Sequence, residues 1–349
     1  MPRRVRPMLA ASAPEPFDSP SHLFEPKWDG VRAIGFRDGE RVWLHSRRGL
    51  AYTDAFPEVA LALARVPGPR RAVVDGELVT AGPDGRPSIA AVLARTRMRR
   101  PAAIRAAALE WPAAYVIFDL LYIDGQDLRH QPLQRRRAEL ERWAPAWGRP
   151  DGCVQSPGAP PAAAGSNLVL SPGVVGQGRR LFAAIRERGL EGMMAKALRS
   201  PYREGRRSPD WLKVKAFVQA QAVVVGFVPS GKTGVRSLAV ALPQAGEAGP
   251  HRCELDFAGL VGTGMPASEQ ARLRARLEPL RLTGPARPLR PSAFLGRLAR
   301  PELRGVVWVT PQLACRIRYL ERTADGWLRH ASYRGLAPGS AGATGSVGR

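Results

Sequence analysis

The sequence predicts an α+β protein in two parts: a mixed sheet-and-helix domain over residues 1–215 and a small β-barrel domain over residues 216–338. Three observations predict it. The 349 residues amount to about two domains, each long enough to bury a core. Up to about residue 215, strand-like runs alternate with helix-patterned ones, and Gly turns repeatedly leave charged residues at strand ends. From 216 onward the pattern is almost all strand, with one helix at about 267–280, and five short strands with one helix suit a barrel of the OB type. The Gly/Ser/Ala-rich stretch 339–349 reads as a disordered tail.

Each element follows from its local pattern. LFEPKWDGVRAIGF (23–36) reads as a strand, a turn at Asp29-Gly30 and a second strand. RVWLHSRRG (41–49) is a strand ending in a basic turn, and FPEVALALARV (56–66) has helical spacing. AVVDGELV (72–79) is a strand interrupted at Asp75-Gly76. Residues 88–110 read as helical, with Arg95, Arg97, Arg99 and Arg100 forming a basic patch that suits a DNA phosphate track. AAYVIFDLLYIDG (113–125) is a buried strand running into a turn, and LQRRRAELERW (133–143) is an amphipathic helix. Residues 144–178 read as loop with a short strand, and RRLFAAIRERG (179–189) as a helix stopped by Gly189. LEGMMAKAL and DWLKVKAF close the first domain as two short strands. In the second, QAVVVGF, RSLAVAL, CELDFAGLVG, VVWV and LACRIRYLE read as strands, the last placing Leu313, Cys315, Ile317 and Tyr319 on one face.

Composition narrows the function. A hydrophobic fraction of 44% is that of an ordinary globular protein. No run reaches the roughly 18 apolar residues of a membrane span, and the first residues lack the apolar stretch of a signal peptide. Cys153, Cys253 and Cys315 are far apart and odd in number, which fits a reducing cytosol and not a disulfide framework. The five scattered histidines offer no zinc site, and no GxSxG elbow appears. The net charge of +23 calls for a polyanionic partner, nucleic acid above all.

Of the 53 basic residues only Lys27, Lys196, Lys213, Lys215 and Lys232 are lysine; the rest are arginine. Arginine does not deprotonate in proteins, whereas a lysine of lowered pKa can attack an electrophile. Four of the five lysines stand in short patterned segments. Lys27 lies in EPKWDGVR (25–32), and its company is SRRG (46–49), DGE (75–77), FDLLYIDG (118–125), EGMMAK (191–196) and WLKVK (211–215).

On these residues the chain resembles the bacterial ATP-dependent DNA ligases found as ligase modules of non-homologous end-joining enzymes. The family signature Lys-x-Asp-Gly-x-Arg is met at Lys27, Asp29, Gly30 and Arg32, and the other five segments follow in family order from about residue 7 to 336. The resemblance implies a nucleotidyltransferase (adenylation) domain followed by an OB-fold domain. It implies attack of Lys27 on the α-phosphate of ATP, transfer of AMP from lysyl-AMP to a 5′-phosphate, and sealing by a 3′-hydroxyl. By the same carry-over, Lys213 and Lys215 neutralise charge building on the α-phosphate and lower the pKa of Lys27. Asp29 holds the turn or acts directly. Glu25 accepts from the adenine amino group, Phe118 stacks on the ring, and Arg32 and Arg47 contact the nucleotide or the 5′-phosphate of a nick. Glu77 binds ribose or assists the metal, and Glu191 holds Mg²⁺ or Mn²⁺. The implied partners are nicked duplex or broken DNA ends, clamped between the two domains, and an end-binding protein of the Ku type; the implied setting is a cytoplasmic, nucleoid-associated monomer acting in DNA repair.

Alternatives of other classes are an RNA ligase or capping-type nucleotidyltransferase, and a basic nucleic-acid-binding protein without self-adenylylation. A further rival is a P-loop NTPase, because Gly226–Thr233 spells GxxxxGK[ST]. A P-loop has to open a helix; here VRSLAVAL follows and Pro229 removes an N–H from the cradle, so a hairpin is expected. TADGWLRHASYRGL (323–336) resembles the family's last segment through Arg329, Arg334 and Gly335, but Ala337-Pro338-Gly339-Ser340 replaces the basic and acidic–basic residues that usually follow. Slow self-adenylylation is the expectation.

Overall fold

The computed structural model describes residues 1–81, 87–147, 167–243, 255–285, 303–323 and 325–337. Cys153, Cys253, His251 and the expected tail at 339–349 lie outside them. The chain divides into two units, Met1–Ala216 and Phe217–Arg349.

The first unit carries two sheets. One has the order β1 (Leu9–Ser12), β11 (Arg207–Lys215), β10 (Gly192–Ala197), β2 (His22–Pro26), β9 (Val174–Val175). The other has the order β4 (Arg41–Ser46), β3 (Val31–Asp38), β5 (Arg71–Thr80), β6 (Ala113–Ile123), β7 (Gln126–Asp127), with β8 (Leu168–Leu170) beside β6. Helices α1 (Pro57–Arg65), α2 (Ile89–Arg97), α3 (Pro101–Glu110), α4 (Leu133–Trp143) and α5 (Gly178–Glu187) complete it. Parallel pairing of β1 with β11 joins residues about two hundred apart, and no local pattern announces it.

Alternation sorts the first sheet. Phe24, Met193, Ala195 and Val214 pack on one face with Ile185 of α5. Strands have a period of two, so Glu25, Met194, Lys196, Trp211, Lys213 and Lys215 share the opposite face. The registers Met194 to Glu25 and Met194 to Lys213 place these residues in a row. In the second sheet, Ala33, Val74, Tyr115 and Ile117 face a core with Val59 and Leu63 of α1. Ile34, Phe36, Val73 and Phe118 face the other way and cluster with Trp211 of the first sheet.

One expectation is sharpened here and two change. The strand, turn and second strand read at 23–36 are present, and the turn is a crossing, because β2 and β3 belong to different sheets. Gly30 makes that crossing possible: a Cβ there would stand 2.3 Å from the Leu78 carbonyl oxygen. The helical run 88–110 is two helices, broken where Pro101 starts α3. Arg95 leaves the expected basic patch altogether; its side chain is fully buried and pairs with Glu58 while donating to the Ala55 carbonyl oxygen. Arg97, Arg99 and Arg100 are exposed.

The second unit is a five-stranded antiparallel sheet in the order β14 (Leu255–Val261), β13 (Gly234–Pro243), β12 (Val218–Ser230), β15 (Val307–Tyr319), β18 (Ser332–Leu336). Helix α6 (Ala267–Leu277) puts Leu273 and Leu277 into the core formed by Val224, Phe227, Leu238 and Ile317. A short pair, β16 (Glu321–Arg322) and β17 (Leu328–Arg329), stands apart. VVWV and LACRIRYLE, expected as two strands, form the single strand β15, and β18 supplies the fifth. The P-loop pattern is a hairpin, with Ser230 paired to Gly234 and Gly231 at φ +58°. Cys315 is a buried free thiol. Ala337 is 5% exposed and its N–H donates to the Ala314 carbonyl oxygen.

Candidate active site

Within the first unit a pocket opens between the facing sides of the two sheets. Glu25, Lys27, Trp28, Met194, Lys196 and Trp211 line it from the first sheet and the crossing; Arg32, Glu77 and Phe118 line it from the second; Ser171 closes one side. Trp28 is fixed by its indole N–H, which donates to Ser171 Oγ at 3.1 Å.

Lys27 continues β2, its N–H donating to the Gly192 carbonyl oxygen at 2.8 Å. Its ammonium contacts the Glu191 carboxylate, and Lys215 Nζ lies 3.9 Å from the other oxygen of Glu191. Lys27 and Glu191 side chains are 24% and 8% exposed, so the pair is largely shielded from solvent. Burial lowers the Lys213 pKa, and Arg207, Lys27 and Arg47 add to the fall against Glu191.

Arg32 makes a two-pronged contact with Asp75, at 2.5 Å from Nε and 2.6 Å from Nη2. Burial works against its charge, but Asp75 outweighs burial and holds the guanidinium above its usual pKa. Its Cζ lies 4.6 Å from the Phe118 ring centroid. Behind it, the Tyr202 hydroxyl donates to Asp75 Oδ2 at 2.6 Å. Glu77 pairs with Arg32 across β3 and β5. Burial pushes its carboxyl up to about 7; Arg32 and Lys27 oppose the rise and Glu191 and Asp75 add to it.

Glu25 is 1% exposed and lies between two cations, Arg137 at 3.0 Å and Lys196 in direct contact. Lys196 is buried at 2%, with its Nζ 4.0 Å from the Phe118 ring centroid and 4.6 Å from that of Trp211. Burial lowers its pKa against Glu25 and Asp119, and Arg32 adds to the fall. Lys196 was absent from the expected site, as was Trp211. The signal for Lys196 was there, since any lysine is rare in this sequence.

Of the ten expected residues, Glu25, Lys27, Arg32, Glu77 and Phe118 line the pocket. Glu191 contacts Lys27, Lys215 stands beside Glu191, and Lys213 lies within electrostatic reach of Lys27 and Glu191. Asp29 lies in the crossing and Arg47 in the exposed turn after β4; neither lines the pocket. Among the described residues no three His, Cys, Asp or Glu side chains converge on one point. Glu191 and Glu77 nonetheless offer hard carboxylate oxygens beside Lys27, a donor set that fits Mg²⁺ or Mn²⁺ taking further ligands from phosphate and water.

Residues 7–215 match the ATP dependent DNA ligase domain, and residues 231–339 match the ATP dependent DNA ligase C terminal region. The chain belongs to the ATP-dependent DNA ligase family. It is 32% identical over 338 residues to the multifunctional non-homologous end joining protein LigD of Mycolicibacterium smegmatis, a match covering 97% of this chain and 39% of the relative. The LigD protein of Pseudomonas aeruginosa is 33% identical over 339 residues, covering 96% of this chain and 36% of that one. The chain therefore spans less than half the length of these curated relatives. The crystal structure of the ligase domain of M. tuberculosis LigD is 32% identical with a TM-score of 0.50, covering 96% of this chain and 95% of that one. The family's nucleotide is ATP, and its two-part architecture makes the first unit the adenylation domain and the second the OB-fold domain. Among the described residues of this family member, no helix is long and apolar enough to cross a membrane.

Proposed function

We propose that this ligase domain seals breaks bearing a 3′-hydroxyl and a 5′-phosphate in DNA, as part of double-strand-break repair. The observation that carries the reading is Lys27 at the pocket edge, its nitrogen against Glu191 and Lys213 and Lys215 nearby, beside a wall where Glu25 adjoins Lys196. That wall sets an acceptor next to a donor, the complement of adenine's amino group and N1. Phe118 and Trp211 give the base apolar ring surface, and Glu77 with Arg32 faces the ribose and phosphates.

In this account Lys27 attacks the α-phosphorus as a neutral amine, forming a P–N bond as the P–O bond to pyrophosphate breaks. The 5′-phosphate of the break then takes AMP from Lys27, and the 3′-hydroxyl attacks that phosphate and releases AMP. Lys213 and Lys215 neutralise charge building on the α-phosphate; burial, with Arg207, Lys27 and Arg47 adding to it, lowers the Lys213 pKa. A Mg²⁺ or Mn²⁺ ion held by Glu191, with Glu77 near, would supply further charge neutralisation to the phosphates. Arg47 and Asp29 act from outside the pocket, Arg47 toward the DNA and Asp29 in the crossing that aims Lys27. The net charge of +23 supports DNA as the polyanion. The names of the LigD relatives support a place in end joining; a Ku-type end-binding partner, a monomeric state and a place at the cytoplasmic nucleoid belong to the same proposal.

Nicked duplex substrates test the reading. Wild type is expected to seal a 5′-phosphorylated DNA nick with ATP and a pre-adenylated nick without it, and to prefer DNA over nicked RNA. Lys27→Ala is expected to seal only the pre-adenylated nick. Sealing of the plain nick by Lys27→Ala would contradict it.

A further inference from the structure

Helix α4 carries charge where its amphipathic pattern calls for apolar residues. Leu133, Arg136, Arg137, Leu140 and Trp143 are its buried residues, and their spacing is that of a core-facing stripe. Two arginines inside such a stripe need partners for every donor they bury. Each finds them on a different sheet. Arg136 grips Asp119 of β6 at 2.8 and 2.9 Å. Arg137 reaches the first sheet, where Nη1 donates to Glu25 Oε1 at 3.0 Å, and its Nη2 donates to the carbonyl oxygen of Ser171, just after β8, at 2.8 Å.

Arg137 itself stands behind the pocket, while both residues it holds line it. Its third anchor is Glu141, one turn along the helix, whose Oε1 accepts from Nε at 2.7 Å. Glu25 thus has one oxygen pinned from behind, and the other meets Lys196. The loop that follows Ser171 fits closely against the same side chain: a Cβ at Gly173 would lie 3.3 Å from Glu25 Cγ. A planar fork can hold a carboxylate and a carbonyl together, and an ammonium at the same place reaches only one.

We propose that Arg137 is a positioning residue for base selection, holding the Glu25 carboxylate in the orientation that accepts a purine amino group and refuses a purine carbonyl. This rests on the reading of Glu25 and Lys196 as the wall that meets the base edge. Inosine triphosphate is the probe. It matches ATP in shape but carries a carbonyl in place of the amino group, so it sets an acceptor against Glu25.

The experiment measures self-adenylylation rates of the full chain over a range of ATP and of inosine triphosphate concentrations, for wild type, Arg137→Lys, Arg137→Met and Glu25→Gln, with thermal melts alongside. Arg137→Lys is expected to raise KM for ATP about tenfold at nearly unchanged kcat, and to shrink the preference for ATP by about the same factor. Arg137→Met is expected to do so more strongly; if it fails to fold, Arg137→Lys carries the test. A purely structural arginine would lower both nucleotides' rates by one factor and leave their ratio at the wild-type value, which overturns the proposal. If Glu25→Gln narrows the preference and Arg137→Lys does not, Arg137 alone is misassigned. If Glu25→Gln leaves the preference intact, the base-edge wall is wrong and the role of Arg137 falls with it.

Discussion

Glu77 is the pocket residue whose charge depends most on conditions near neutrality. Its pKa rises from the ordinary 4.5 to about 7 on folding. The native state therefore keeps a proton that the unfolded chain releases, and that proton stabilises the fold fully below about pH 4.5 and not at all once pH has risen through about 7. Wild type without nucleotide or metal is expected to lose melting temperature between about pH 5 and about pH 8 more steeply than Glu77→Gln, which has no proton to lose. Equal slopes would mean that Glu77 titrates normally. Several of these side chains were legible one at a time: Lys27, Glu25 and Glu77 stand in short patterned segments with a chemical reason for each type. Their contacts were not. Lys27 and Glu191 are 164 residues apart, and only the pairing of β2 with β10 brings them together. The same distance hid the fact that Lys27 meets a carboxylate before it meets another cation.

At the scale of elements, period-two spacing did most of the work. The spacing of Glu25 and Lys27, of Met194 and Lys196, and of Trp211, Lys213 and Lys215 puts each set on one strand face. Three neighbouring strands then assemble a wall. Most strands of the second unit were legible too, although two runs read as separate strands are the single β15 and β18 was not read, and so was the hairpin within the P-loop pattern, where Gly234 and a β-branched run leave no helix to open. Helices α2 and α3 were less so, because an arginine-rich run looks the same whether its residues face solvent or a buried glutamate. Arg95 and Arg99 now separate. Arg99→Gln is expected to reduce the slope of log binding constant against log salt for DNA by about 1 if Arg99 meets a phosphate. Arg95→Gln is expected to leave that slope unchanged and to destabilise the fold by about 3 kcal/mol or more, because Glu58 loses its buried partner. Fluorescence titrations across salt and urea unfolding check the two. A changed slope for Arg95→Gln would return it to the DNA surface.

For the whole molecule, the charge of +23 rests almost wholly on arginine, and only five of the 53 basic residues are lysine. Four of the five lysines stand in the first unit, around the pocket, and Lys232 stands on a hairpin of the second. The most direct test labels the enzyme. Wild type, Lys27→Ala and Lys232→Ala, first treated with pyrophosphate to clear AMP already bound, are incubated with divalent metal and ATP labelled at its α-phosphate, then run on a denaturing gel. Covalent label on wild type and Lys232→Ala, and none on Lys27→Ala, is the predicted result. Label that persists on Lys27→Ala, or its absence from all three, would contradict Lys27 as the nucleophile of a self-adenylylating ligase.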